Sequence, residues 1–151
     1  MLNDIYNYLS ISERLATAGQ PTADKFATIR QAGFDIVVNL ALPTSTNALP
    51  DERSVVEACS MTYVPIPVIW ENPTAEDFEQ FQATLASHPN HKIFVHCAMN
   101  MRVSAFVYLH QRLDGMPPSV AATNLTKIWA PNETWQQFID ATLAQAGIGQ
   151  D

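Results

Sequence analysis

Short runs rich in Val and Ile alternate with amphipathic segments along most of the chain, and the two patterns predict different elements. Asp35–Ala41 (DIVVNLA) reads as a buried strand, because β-branched residues occupy both faces without polar alternation. Lys92–His96 reads as another, and Arg14–Ala18 as a short one. Thr62–Val68 (TYVPIPV) is also extended, but its two prolines confine it to a sheet edge or a strand end. Phe26, Ile29 and Ala32 give the apolar side of a helix that the turn Gly19–Thr22 opens and Gly33 stops. A polar loop, Pro43–Pro50, leads into a helix that buries Val55, Val56 and Cys59. After the loop Trp70–Pro73, Thr74 caps a helix with Phe78, Phe81 and Leu85 on one face. The strand Lys92–His96 is followed by a helix carrying Val103, Phe106, Val107 and Leu113, ended by Gly115. Two more helical patterns close the chain. One follows Pro117-Pro118 with Val120, Leu125, Ile128 and Trp129; the other follows Asn132 with Trp135, Phe138, Ile139 and Leu143.

This alternation predicts a single α/β domain over 1–151, with a mostly parallel central sheet flanked by helices and a helical cluster at about 117–147. A chain of 151 residues has the usual size of one domain. At that length folding buries about 68–70% of the unfolded surface, so no disulfide or metal staple is required. Two cysteines, Cys59 and Cys97, are too few for a disulfide framework. No apolar N-terminal segment with a basic flank is present, and no run is long enough to span a bilayer. The expectation is a cytoplasmic protein, or one whose leader has been removed.

Net charge is −7, from 8 Lys and Arg against 15 Asp and Glu, and the cations are scattered. That argues against nucleic acid or an anionic membrane as partner. An anionic substrate has to be held by a local device, since the global field repels it. Oligomeric state stays open. Asn124 and Asn132 each begin an Asn-x-Thr triplet, but these read as chance, and Asn132 is better explained as a helix cap.

The segment KIFVHCAMNMRVSAF, residues 92–106, ends an apolar run in Cys97 and returns Arg102 five residues later. In parallel α/β sheets, ligands bind outside the carboxyl ends of the strands. Cys97 stands just past such an end, and a helix begins soon after. Backbone N–H groups in a strand–loop–helix turn converge on one point, and the helix dipole adds to them. The same field stabilises a thiolate. Arg102 adds a planar fork that matches two oxygens of a phosphate. His96 orients the loop by hydrogen bonding to nearby backbone. Taken singly, Cys97 is a small core hydrophobe, His96 a satisfied core histidine and Arg102 a solvated helix residue. Together at one strand–helix junction, they point to an oxyanion site.

VHCAMNMRVSAF is similar to the signature of cysteine-based protein phosphatases, His-Cys-x-x-Gly-x-x-Arg-Ser/Thr. The upstream AGQPT, IRQAGFDIVVNLALP and EACSMTYVPIPV resemble the dual-specificity-phosphatase layout, and most nearly the bacterial phosphatase-like family DUF442. The likeness runs from about Ser12 to Leu113. It implies a dual-specificity-phosphatase-like fold and metal-independent phosphomonoester hydrolysis without a cofactor. Cys97 would attack phosphorus to give a phosphocysteine, which water hydrolyses. Arg102 and the amides of Ala98, Met99, Asn100 and Met101 would hold the transferring group.

Three departures from that pattern stand out. Arg102 comes one residue early, a loop length shared with rhodanese-like sulfurtransferases. Asn100 replaces the usual glycine and has to adopt a left-handed conformation at some cost. Val103 follows Arg102 where a hydroxyl is usual, which leaves Ser104 as the nearest substitute.

The resemblance also implies an aspartate as general acid on the loop PVIWENPTAED, but Trp70 stands at about that place. Glu71, next to it, is the candidate; Asp77 reads instead as the partner that completes the Thr74 cap. Two rivals remain: a sulfurtransferase carrying a persulfide on Cys97, and a phospho-binding pseudophosphatase with little turnover. Cys59 reads as a core cysteine, with a protective disulfide to Cys97 as the less favoured idea.

Overall fold

The Val/Ile-rich runs pair side by side, as their two-faced apolar character requires. The computed structural model describes residues 1–148. Within them the strands are β1 (Leu9–Ser10), β2 (Leu15–Ala18), β3 (Ile36–Asn39), β4 (Thr62–Pro65) and β5 (Ile93–His96). The helices are α1 (Lys25–Gln31), α2 (Glu52–Ala58), α3 (Ala75–Ser87), α4 (Met101–Leu113), α5 (Pro118–Ile128) and α6 (Glu133–Gln145). One sheet has the order β1-β2-β5-β3-β4. Only β1 runs antiparallel, against β2; the other pairings are parallel, so the expected mostly parallel α/β sheet is present. β1 and a short 3-10 turn at Leu2–Asp4 have no counterpart in the sequence reading. Neither carries the apolar alternation by which a strand is recognised, and β1 exists only through its pairing with β2.

β5 sits in the middle, with Ile93, Val95 and His96 opposite Ile36, Val38 and Asn39 of β3. Successive side chains point to opposite faces. Ile93, Val95 and then Cys97 join one core cluster with Val38, Phe81, Val103, Phe106 and Trp135. Phe94 joins the other with Phe26, Ile29, Val37 and Val56. α1 and α2 therefore cover one face, and α3, α4 and α6 the other. Cys59 packs half-buried against the second cluster and Cys97 is buried in the first, so the two thiols, both free, belong to opposite faces. The idea of a disulfide between them gains nothing from this arrangement.

β4 is an edge strand, as Pro65 and Pro67 require. Thr74 and Asp77 form a reciprocal capping box on α3, which commits the Asp77 carboxylate to the backbone N–H of Thr74. Asn132 caps α6 by accepting from the N–H of Trp135. Two sequence expectations need correction. α1 begins at Lys25, after a turn at Ala23–Asp24, rather than directly at Gly19–Thr22. Val120 is 53% exposed, and α5 buries Ala121 and Leu125 instead. The apolar stripe of α5 is real but rotated, because its main partner is α4. Among the described residues, no helix is long and apolar enough to cross a membrane.

Trp135 is fully buried, packs against Trp70, Trp129, Phe106 and Phe138, and donates its indole N–H to the Trp70 carbonyl at 2.9 Å. Trp135→Ala is expected to lower unfolding free energy by about 3–5 kcal/mol, the range for truncating a buried aromatic. Urea denaturation with an unchanged m-value checks it. A loss under about 1 kcal/mol would mean that the cluster re-forms around the gap.

Candidate active site

β2, β3, β4 and β5 end level with one another, so the connections that follow them emerge on one side of the sheet. A cavity of about 350 Å³ opens there. Its walls come from three of those connections: Leu42 and Thr44–Thr46 after β3, Trp70 and Glu71 after β4, and the Cys97–Met101 loop with Arg102 after β5. This is where an open parallel sheet binds ligands.

Cys97 is the first residue beyond β5, 1% exposed, and its N–H donates to the Ala18 carbonyl at 3.4 Å. The loop after it is held from behind by its own carbonyls. Nδ1 of His96 lies 3.2 Å from the Cys97 carbonyl. The Ala98 carbonyl accepts from the N–H of Gln20 at 3.0 Å, and the Met99 carbonyl from Nδ2 of Asn7, also at 3.0 Å. In a planar trans peptide, C=O and the next N–H point in opposite directions. With the carbonyls of Cys97 and Ala98 drawn back, the N–H groups of Ala98 and Met99 turn toward the cavity. Gly19 permits the close approach: a Cβ there would lie 2.7 Å from the Ala98 carbonyl oxygen and 2.7 Å from the Tyr6 ring.

Asn100 adopts the left-handed conformation expected of it, with φ 67° and ψ 2°, and stands at the N-cap of α4. Its side chain is fully buried behind the loop, donating to the Asn7 carbonyl at 2.9 Å and to the Thr17 hydroxyl at 3.0 Å. These bonds offset the cost of φ > 0. Asn100 thus shapes the loop and presents no side chain to the cavity.

Arg102 stands in the first turn of α4 and is buried, yet it borders the cavity. One guanidinium nitrogen donates to the Val68 carbonyl at 2.9 Å, which fixes the plane of the fork. A guanidinium carries five N–H donors, so others remain for an oxyanion. The solvated reading of Arg102 is thereby replaced.

The remaining expected residues fall in different places. Glu71 is exposed at the rim of the cavity, on the loop that Trp135 holds through the Trp70 carbonyl. Ser104 is buried one turn into α4, outside the cavity lining; its hydroxyl donates to the Met101 carbonyl at 2.9 Å and accepts from the Trp129 indole at 3.0 Å. Ser104, the expected substitute for the usual hydroxyl on the phosphate side, instead has its O–H committed to the Met101 carbonyl and its oxygen accepting from Trp129. His96 points to the opposite face of the sheet from Cys97, with Phe26 edge-on at 6.2 Å.

Asn7 and Glu52 did not emerge from the sequence. Asn7 lies in an unpatterned N-terminal stretch. Glu52 is an acidic residue in the first turn of a helix, where a carboxylate ordinarily complements the dipole in solvent. It is instead 4% exposed and 2.6 Å from Nε2 of His96. Nearby, burial raises the Tyr63 phenol above its ordinary pKa; a hydrogen bond from Asn39 opposes this and the Glu52 charge adds to it.

The fold is that of the dual-specificity class of phosphatases, with the cavity at its β5–α4 junction. A family model described as a DSP-PTPase phosphatase fused to NAD+ kinase matches residues 5–137, and the chain belongs to that family. The structure resembles a DUF442 protein of Shewanella putrefaciens CN-32 with a TM-score of 0.89, 36% identity and 96% of each chain covered. The kinase-associated phosphatase has the same fold, with a TM-score of 0.78, 11% identity, and 95% of this chain and 96% of that chain covered. The beta-lactamase hydrolase-like protein of Agrobacterium fabrum (strain C58) is 32% identical over 108 residues, 70% of this chain. The chain spans only 25% of that relative's length.

Proposed function

We propose that the protein hydrolyses phosphomonoesters without a metal, through a phosphocysteine on Cys97. The observation that carries this reading is that Cys97 and Arg102 border one cavity at the β5–α4 junction, beside amides turned inward by their own peptide planes. Phosphate would sit over the Cys97 sulfur, with the Ala98–Met101 amides and the α4 N-terminus facing its equatorial oxygens and Arg102 spanning two of them. Attack forms the S–P bond as the ester oxygen leaves. That oxygen takes a proton, for which Glu71 is the carboxyl at the rim. Water then attacks phosphorus, the S–P bond breaks, and inorganic phosphate departs with the thiolate restored.

A second reading, a phosphate-binding domain with little turnover, has one specific observation in its favour. The Ser104 hydroxyl, the nearest candidate to assist the leaving thiolate, is held by Trp129 and Met101.

The test is alkylation of Cys97 by iodoacetamide with and without inorganic phosphate, followed by mass spectrometry. Phosphate is expected to protect the wild type. Arg102→Lys is expected to weaken that protection, because a point charge cannot reproduce a bidentate fork. Alkylation indifferent to phosphate at high concentration would remove the phosphate site, and both readings with it.

A further inference from the structure

The least expected group near the site is a carboxylate behind it. Glu52 is 4% exposed, and neither of its oxygens faces solvent alone. Oε2 lies 2.6 Å from Nε2 of His96, which is itself fully buried, and Oε1 accepts from Nε2 of Gln20 at 2.8 Å. A buried carboxylate costs several kcal/mol unless it is paired and hydrogen-bonded. Here both partners are the residues that hold the loop: Nδ1 of His96 faces the Cys97 carbonyl, and the backbone N–H of Gln20 donates to the Ala98 carbonyl.

We infer that Glu52 is a positioning residue for the phosphate loop, acting through His96 on the Cys97 carbonyl and through Gln20 on the Ala98 carbonyl. The inference rests on reading the loop as a phosphate cradle. For the His96–Cys97 contact to be a hydrogen bond, Nδ1 must carry a proton, an assignment that follows from the partners. The short Nε2–Oε2 contact then holds a second proton, shared by ring and carboxylate. No ordinary neutral imidazole can donate at both nitrogens, so the acid is what lets His96 hold the loop and anchor to α2 at once. The same carboxylate fixes the side chain of Gln20, whose Nε2 also donates to the Pro21 carbonyl at 3.0 Å. That keeps the backbone of Gln20 in place behind Ala98. Two successive peptide planes of the cradle are thus set from a single buried group on the far face of the sheet.

The experiment uses the full chain labelled with 15N, inorganic phosphate as the probe, and an aryl phosphate for turnover. Glu52→Met keeps the length of the side chain but removes both oxygens; glutamine would not serve, since its N–H can donate to Nε2 of His96 while its oxygen still accepts from Gln20. With thermal unfolding showing the variant folded, the amide resonances of Ala98 and Met99 should move, along with the His96 ring nitrogens. Phosphate affinity and kcat should each fall about 10–100-fold, the scale on which outer-shell partners act at metal centres. Gln20→Met removes one arm only, and should move the Met99 amide more than that of Ala98.

Glu52→Met that is folded, with loop amides and phosphate affinity unchanged, overturns the proposal and leaves Glu52 as an anchor for α2. If Glu52→Met does not fold, Gln20→Met decides: an unmoved Met99 amide overturns the proposal and a moved one upholds it. Should the wild type bind no phosphate at all, the cradle reading fails, while the amide shifts still report whether Glu52 sets the loop.

Discussion

Cys97→Ser is expected to reduce kcat/KM for an aryl phosphate by about 10⁶-fold, the scale on which deleting an attacking side chain acts. Inorganic phosphate should still bind. The reason lies in the division of labour around the cavity. In the proposed mechanism the Ala98 and Met99 amides and Arg102 hold the oxyanion oxygens, and none of them depends on the sulfur. A serine hydroxyl fits the space of Cys97 but is far less readily ionised than a thiol. Arg102→Lys should cost about 10²–10³-fold, as for the loss of one preorganised oxyanion donor. Its ammonium can neither bond Val68 and the phosphate in one plane nor span two oxygens. Steady-state kinetics with p-nitrophenyl phosphate, alongside calorimetric titration of phosphate, separate the two effects. Activity in Cys97→Ser within tenfold of wild type would assign the attack to another group. A wild type that binds phosphate but turns over no ester would favour the binding-only reading.

Esters with good leaving groups should be hydrolysed faster than alkyl esters, by up to about the 10²–10⁴-fold that general-acid catalysis supplies. The loop after β4 provides Trp70 at the place where the family pattern has an aspartate, and the Trp70 ring is built into the aromatic cluster with Trp129 and Trp135. Asp77 is spent on the α3 cap. Glu71, exposed at the rim, is the proposed donor of the proton. An acidic phenol needs little protonation as it leaves, whereas an alkoxide needs it fully. Glu71→Gln should therefore slow alkyl phosphates far more than activated aryl phosphates. It should also abolish the fall in rate at the basic side of the pH profile, since a general acid acts only while protonated. The measurement is kcat/KM across a leaving-group series, with Cys97→Ser as the inactive control. A wild-type series without slope, unaltered by Glu71→Gln, would show that another group donates the proton.

How far each element was legible depends on whether its signal is local. The strands Ile36–Asn39 and Ile93–His96 are buried on both faces, so their Val/Ile content announces them. The prolines of TYVPIPV confine that segment to a sheet edge or a strand end, and β4 is the edge strand. Thr74 and Asn132 cap helices through atoms three residues away, well within the reach of sequence reasoning. β1 was not legible, because a two-residue strand is defined by its neighbour and not by its own composition. The outward turn of Val120 was missed for a similar reason. A stripe gives the apolar side of a helix, but which part of it is covered depends on where the other helices lie.

The sequence by itself determined the chemistry on offer at the β5–α4 junction: a thiol one residue past a buried strand, a loop of fixed length, and a guanidinium in the first helical turn. Strand period and chain connectivity are enough to put those groups together, because they are neighbours along the backbone. Only the tertiary structure decided what surrounds them. Asn7, Gly19 and Gln20 reach the loop from the N-terminal segment and the stretch just after β2, Glu52 reaches His96 from α2, and Trp129 takes the Ser104 hydroxyl from the end of α5. These residues are far apart in the chain, and each alone looks like an ordinary turn, cap or core position. Their roles follow from side-chain alternation, which sends His96 and Cys97 to opposite faces of one strand, and from the need to satisfy every buried carbonyl and carboxylate.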